Sequence, residues 1–167
     1  LNQSQAEAAA TANGMTIIYS GQYNATGEPT WIPVAQSLKV RGVRGLIWTG
    51  EPQNLARLEQ ALVDIGYKLQ WIRVDPNHYD ASFLDAGGEA IKNTFMRADF
   101  VPFEQAVKQS ATRQYLELFK SFLPEGRART FLGLQAFSAW LLFAKSAGAC
   151  GSQLTRRCLV ENAEKIG

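Results

Sequence analysis

One histidine and two cysteines stand among 167 residues. That inventory is too thin for the Cys/His clusters of a tetrahedral zinc site, and His78 lies far in sequence from Cys150 and Cys158. No metal site is expected. Charge of one sign is also lacking: 17 basic and 15 acidic residues are scattered along the chain, for a formal net charge of +2. A nucleic-acid binder shows a basic stripe, and with none visible no nucleic-acid partner is expected. The longest apolar run, "FSAWLLFA" from Phe137 to Ala144, falls far short of the roughly 20 residues of a membrane-spanning helix. The first residues, "LNQSQAEAAATANG", have neither the basic start nor the apolar core of a signal peptide. Leu1 reads as already inside a helix.

Catalytic signatures are missing as well. No glycine-rich dinucleotide fingerprint follows a strand. There is no phosphate-binding loop, no H-E-x-x-H and no G-x-S-x-G elbow. "GVRG" and "DAGGEA" read as turns. His78 reads as a surface or ligand-lining loop residue rather than a general base. The expectation is a protein that is not an enzyme and needs no cofactor.

What the chain does have is alternation. "SQAEAAATANG" reads as an alanine-rich helix ending at Gly14, and "MTIIY" (Met15 to Tyr19) as a short strand. Trp31, Val34 and Leu38 share a helical face. "VRGLIW" is the next strand, and Leu55, Leu58, Leu62 and Ile65 trace a second apolar stripe that closes at Gly66. "LQWIRV" (Leu69 to Val74) and "NTFM" (Asn93 to Met96) are two further strands. Strands separated by single amphipathic helices are the rhythm of βαβ units, and predict a parallel sheet flanked by helices on both faces.

The second half reads as all helix, with a boundary in "RADFVPFEQ" (Arg97 to Gln105). Val107, Ala111, Tyr115, Leu118 and Phe122 mark one long helix, stopped by "LPEGR". "FLGLQAFSAWLLFAKSAGAC" is a second, apolar on nearly every side, and "SQLTRRCLVENAEKIG" a third with Ser152 as its N-cap. Domains are therefore expected at 1–100 (α/β) and 101–167 (helical). Cys150 and Cys158 flank a Gly-Ser corner between helices. They read as a local disulfide worth roughly 2–3 kcal/mol and implying an oxidising compartment; two reduced, buried cysteines are the alternative.

In an open α/β sheet, ligands bind beyond the carboxyl ends of the strands. Here those ends are the polar corners "YSGQYN", "TGEPQN" and "DPNHYD". With Pro52 at the first helical position, free backbone N–H groups point at the same rim. Thr49, Glu51, Asp75, Asn77 and Tyr79 converge there, offering carboxylates for an ammonium group and hydroxyls and amides for orientation. Each of these residues can also simply cap a helix or make a turn. Trp31, Trp48 and Trp71 suit either the core or an apolar solute.

The order of elements resembles the type I periplasmic solute-binding proteins of ABC importers, of the branched-chain amino acid (leucine/isoleucine/valine) kind. "IPVAQSLKVRGVRGLIWTGEPQNLARLEQALVDIGYKLQWIRVD" resembles the family's second lobe. "FLGLQAFSAWLLFAKSAGACGSQLTRRCLVENAEKI" resembles a later segment that returns to the first lobe, where many members carry the same cysteine pair. The resemblance implies an amino acid or similar small solute held between two closing lobes. The acid that meets the ammonium group falls on Asp75, and a ligand-facing position after the preceding strand on Gly50 or Glu51, where the family often has an aromatic. It further implies an ABC transporter permease as partner. The expected location is the periplasm or cell surface, by secretion, with or without a lipid anchor in the full-length protein. Members of the family are about twice as long, so the chain reads as a fragment lacking most of the first lobe. That predicts an exposed apolar patch at Phe137, Trp140, Leu141 and Phe143, suited to self-association. Two other readings of the same elements are the sensing domain of a receptor or regulator, and a small flavodoxin-like enzyme.

Overall fold

Strands β1 (Gly45–Ile47), β2 (Trp71–Val74) and β3 (Thr94–Met96) lie side by side in that order, all parallel. Leu46, Ile72 and Thr94 stand in register across the sheet. These strands belong to a computed structural model that describes residues 3–24, 26–108, 110–123 and 129–166. The chain divides into two units, Leu1–Phe100 and Val101–Gly167.

The first unit contains helices α1 (Gln3–Ala12), α2 (Ile32–Val40), α3 (Pro52–Asp64) and α4 (Ala81–Gly87). Helix α3 connects β1 to β2, and α4 leads from β2 towards β3. The apolar stripe read from the sequence is the buried face of α3: Leu55, Leu58 and Leu62 are each at most 3% exposed. They pack with Ala35 and Leu38 of α2, Ile72 and Val74 of β2, and Phe83 of α4. Each leucine so buried contributes roughly 1.5–3 kcal/mol. Helices α2 and α3 both stop at a left-handed glycine, Gly42 (φ 67°) and Gly66 (φ 63°). In each case the next N–H turns back to the final turn, Val43 to Leu38 and Tyr67 to Leu62. The other side of the sheet, with Ile47, Arg73 and Phe95, is less covered than the expected two-sided sandwich, and Phe95 is exposed.

"MTIIY" is not a strand. The Met15 N–H is taken by the carbonyl of Ala10 where α1 ends. Met15, Ile17 and Ile18 are exposed, and among the described residues no ladder pairs residues 16–19 with β1. A run of β-branched residues forms a strand only where an edge receives it, and the helix end redirects this one.

In the second unit a 3₁₀ segment (Phe103–Lys108) precedes α5 (Ser110–Phe122), followed by α6 (Phe131–Cys150) and α7 (Arg156–Ala163). The single long helix expected from Val107 is thus two elements. Of its stripe, Tyr115 is buried while Val107, Leu118 and Phe122 are exposed. The Tyr115 ring packs with those of Phe103, Phe119 and Phe137. The expected stop at "LPEGR" lies, beyond Leu123, outside the described residues. Thr130 caps α6, accepting from Gly133 N at 3.0 Å. The cap of α7 is Thr155 rather than Ser152: its hydroxyl accepts from Cys158 N at 3.2 Å. The helix begins at Arg156, three residues later than a Ser152 cap requires, so Thr155 is the residue placed to cap it. Cys150 and Cys158 are joined in a disulfide. Among the described residues no helix is long and apolar enough to cross a membrane.

Candidate functional site

At the carboxyl end of β1 the chain turns through Trp48, Thr49, Gly50 and Glu51 into α3. At the carboxyl end of β2 it passes Asp75 into the 3₁₀ turn Pro76–His78, then Tyr79. Adjacent parallel strands place both corners on one edge of the sheet. A direct bond joins them: Asn77 Nδ2 donates to the Gly50 carbonyl at 3.1 Å.

Glu51 occupies the N-cap position of α3 but makes no side-chain cap bond. Its carboxylate instead accepts from the Tyr23 hydroxyl at 2.6 Å and from Asn54 Nδ2 at 3.2 Å. The Glu51 N–H in turn donates to the Tyr23 oxygen at 3.2 Å. These bonds, the Tyr23 hydroxyl foremost, hold the Glu51 carboxyl below its ordinary range. Burial, reinforced by Glu51, pushes the Tyr23 phenol up to about 12. At neutral pH the pair is therefore a carboxylate and a neutral phenol.

The Tyr23 ring stacks on Trp48 with centroids 4.7 Å apart and meets Trp31 edge-on at 5.4 Å. Both tryptophans belong to the core, at 6% and 4% exposure, while Trp71 is half-buried. Sequence reasoning missed Tyr23 and Asn54 at this corner. Asn54 follows Glu51 by one helical turn, a spacing that could have marked it. Tyr23 lies in an irregular segment, and only its place in the polar corner "YSGQYN" pointed to the rim.

Asp75 is half-buried, with Arg73 Nη1 3.2 Å from its Oδ1. Arg73 was also missed, though it stands two residues earlier, near the end of β2, at the spacing that puts both side chains on one side. The Tyr79 ring meets Phe100 at 5.0 Å. Thr49 is exposed beside Gly50. Of the two expectations for His78, surface or ligand-lining, the surface one does not hold. His78 is 4% exposed, with Nδ1 3.0 Å from Asn77 Oδ1 and 3.2 Å from the Asp75 carbonyl, and its ring edge against Phe83. Burial lowers its pKa, against a smaller opposing effect of Asp75, and so favours the neutral ring. Among the described residues no group of three His, Cys, Asp or Glu side chains is placed to hold a metal ion.

Glu51, Gly50, Asn77 and Asp75 thus share one rim. It carries two carboxylates, one bonded to a phenol and an amide, the other paired with a guanidinium. Such an edge can orient a small polar solute through hydrogen bonds and meet a cation, and it shows no nucleophile–base pair.

Comparison with known proteins places this architecture. The family model described as periplasmic binding protein matches residues 2–167, and the chain belongs to that family. Among solved structures it is similar to a crystal structure provisionally assigned to a branched-chain amino acid ABC transporter of Rhodospirillum rubrum, with a TM-score of 0.65 and 15% sequence identity. The match covers 93% of this chain and 43% of that one. At that identity the likeness concerns the fold. No curated protein matches the chain.

Proposed function

We propose that this chain supplies one wall of the solute cleft in the extracytoplasmic binding component of an ABC importer, and that the solute is an amino acid or a similar small polar molecule. The observation that carries the reading is the Asn77–Gly50 bond, which draws the Glu51 and Asp75 corners onto one edge. On this reading Asp75 meets the solute's ammonium group, with Arg73 orienting its carboxylate. Gly50, Glu51, Thr49, Asn77 and Tyr79 line the same wall. Residues 1–100 form the second lobe, and 101–167 pack on the first lobe, contributed by the rest of the full-length protein in the periplasm or at the cell surface. Solute then favours the closed state because only there do both lobes touch it.

Calorimetric titration of the full-length protein with each of the twenty L-amino acids tests this. Asp75→Ala weakens the tightest of them by roughly 30-fold or more, since a desolvated ammonium is left unpaired. Unchanged affinity removes Asp75 from the site, and no heat with any of the twenty refutes an L-amino acid as the solute.

Of the expected patch, Trp140 (68% exposed), Leu141 and Phe143 are exposed on α6, whereas Phe137 is half-buried against Tyr115. In the isolated chain we expect this patch to drive self-association. A sedimentation coefficient that does not rise with concentration, or that Leu141→Glu leaves unaltered, contradicts it.

A further inference from the structure

His78 lies beneath the rim without reaching it, and its hydrogen bonds follow from donor and acceptor logic alone. The Gly50 carbonyl can only accept, so the Asn77 amide must turn its NH₂ group there, at 3.1 Å. Asn77 Oδ1 then faces His78 Nδ1 at 3.0 Å. The second neighbour of Nδ1 is the Asp75 carbonyl at 3.2 Å, again an acceptor. Both contacts require the hydrogen on Nδ1. Nε2 keeps its lone pair, buried and with no partner among the described residues. The ring is held edge-on by Phe83 of α4, 5.2 Å away.

A short chain of bonds results, from His78 Nδ1–H to Asn77 Oδ1 and from Asn77 Nδ2–H to Gly50 O. It spans the two corners that carry Asp75 and Glu51. Without the His78 donor, Asn77 Oδ1 loses its partner and the amide is held only at its Gly50 end, by one hydrogen bond instead of two. We propose that His78 is a positioning residue of the solute site: as the Nδ1–H tautomer it orients the Asn77 amide and so fixes the Gly50–Glu51 corner against the Asp75 loop. The proposal rests on reading this rim as a solute wall. His78 itself touches no solute.

The test combines a spectroscopic readout with a coupling measurement, both on the full-length protein. Imidazole ¹⁵N spectra at pH 7 should show His78 protonated at Nδ1 and bare at Nε2. His78→Gln, whose amide reaches the Nε2 position, should weaken the tightest-binding L-amino acid of the calorimetric panel roughly 5- to 10-fold, the effect of one lost hydrogen bond. It should also speed amide exchange at Gly50 and Glu51. His78→Asn, whose amide nitrogen stands where Nδ1 stood, should restore both exchange and affinity to within about threefold. In an Asn77→Ala background, His78→Gln should have no further effect on either, because its path to the rim is cut. An Nε2–H tautomer overturns the proposal, as does a His78→Gln effect undiminished by Asn77→Ala. If no amino acid binds the unmodified protein the solute reading fails, while the tautomer and the exchange rates still decide the role of His78.

Discussion

Tyr23 occupies the space that a side chain at position 50 would need: a Cβ on Gly50 would lie 1.7 Å from the Tyr23 hydroxyl oxygen and 2.8 Å from ring Cζ. The corner can hold a residue with a side chain or the phenol, but not both. The phenol is the one bonded to Glu51 and stacked on Trp48.

Gly50→Ala should therefore expel the ring. Its expected effect is a loss of about 1–3 kcal/mol in urea unfolding, the usual scale of overpacking. Trp48 fluorescence should become more open to quenching. In a Tyr23→Ala background the same substitution should cost less, keeping only the backbone strain of a side chain at φ 159°. Equal losses in both backgrounds would mean that the ring is not the obstacle.

That pairing marks the limit of what the residue string reveals. Helix α3 was legible because Leu55, Leu58 and Leu62 repeat at helical spacing and Gly66 closes the run. The apolar runs around β1, β2 and β3 were legible for the same local reason. "MTIIY" misled because strand propensity describes a fit to a neighbouring edge, and among the described residues no strand edge pairs with Met15 to Tyr19. The rim itself could be read from the strand ends, since parallel topology gathers the segments that follow them. Who touches whom on that rim could not. Tyr23 reaches Glu51 across 28 positions, and the burial of His78 follows from a 3₁₀ turn that folds its ring under Asn77.

Glu59, on α3, is 2% exposed and shares one carboxylate oxygen with the Thr94 hydroxyl of β3, while its Oε2 has no partner among the described residues. Burial pushes this carboxyl up to about 7 from its ordinary 4.5, against the smaller opposing effect of Thr94. Between those two values the native state keeps a proton that the unfolded chain has released. Stability is then greatest below about pH 4.5 as far as this group is concerned. It falls as pH rises towards 7 and levels off above it. The drop should be on the order of 3 kcal/mol. Urea unfolding of the wild type and Glu59→Gln across pH 4 to 8 reads it directly. The amide carries no charge at any pH, so the downward slope should shrink in the variant and its stability at pH 8 should exceed that of wild type. Parallel profiles would assign the slope to other groups.

Cys150 closes α6 and Cys158 lies in the first turn of α7, so their bond spans the corner at residues 151–155. Asn162 reinforces the same corner from the next turn of α7, donating to the Cys158 carbonyl at 3.0 Å with its amide nitrogen 3.2 Å from the Cys158 sulfur. A loop of this size, closed in the unfolded chain as well as the folded one, stabilises the α6–α7 pair by roughly 2–3 kcal/mol on the chain-entropy account. Breaking it should therefore act on the second unit, where most of α6 is exposed and only Phe131, Ser146 and Cys150 of that helix are buried. Cys150→Ser with Cys158→Ser should lower the midpoint of helix loss in urea, followed by far-ultraviolet circular dichroism, by an amount that reductant reproduces in the wild type. In the first unit, the fluorescence of Trp48 should report a midpoint that moves less. A single transition shifting equally for both probes would show instead that the two units unfold together, and that the disulfide stabilises the chain as a whole.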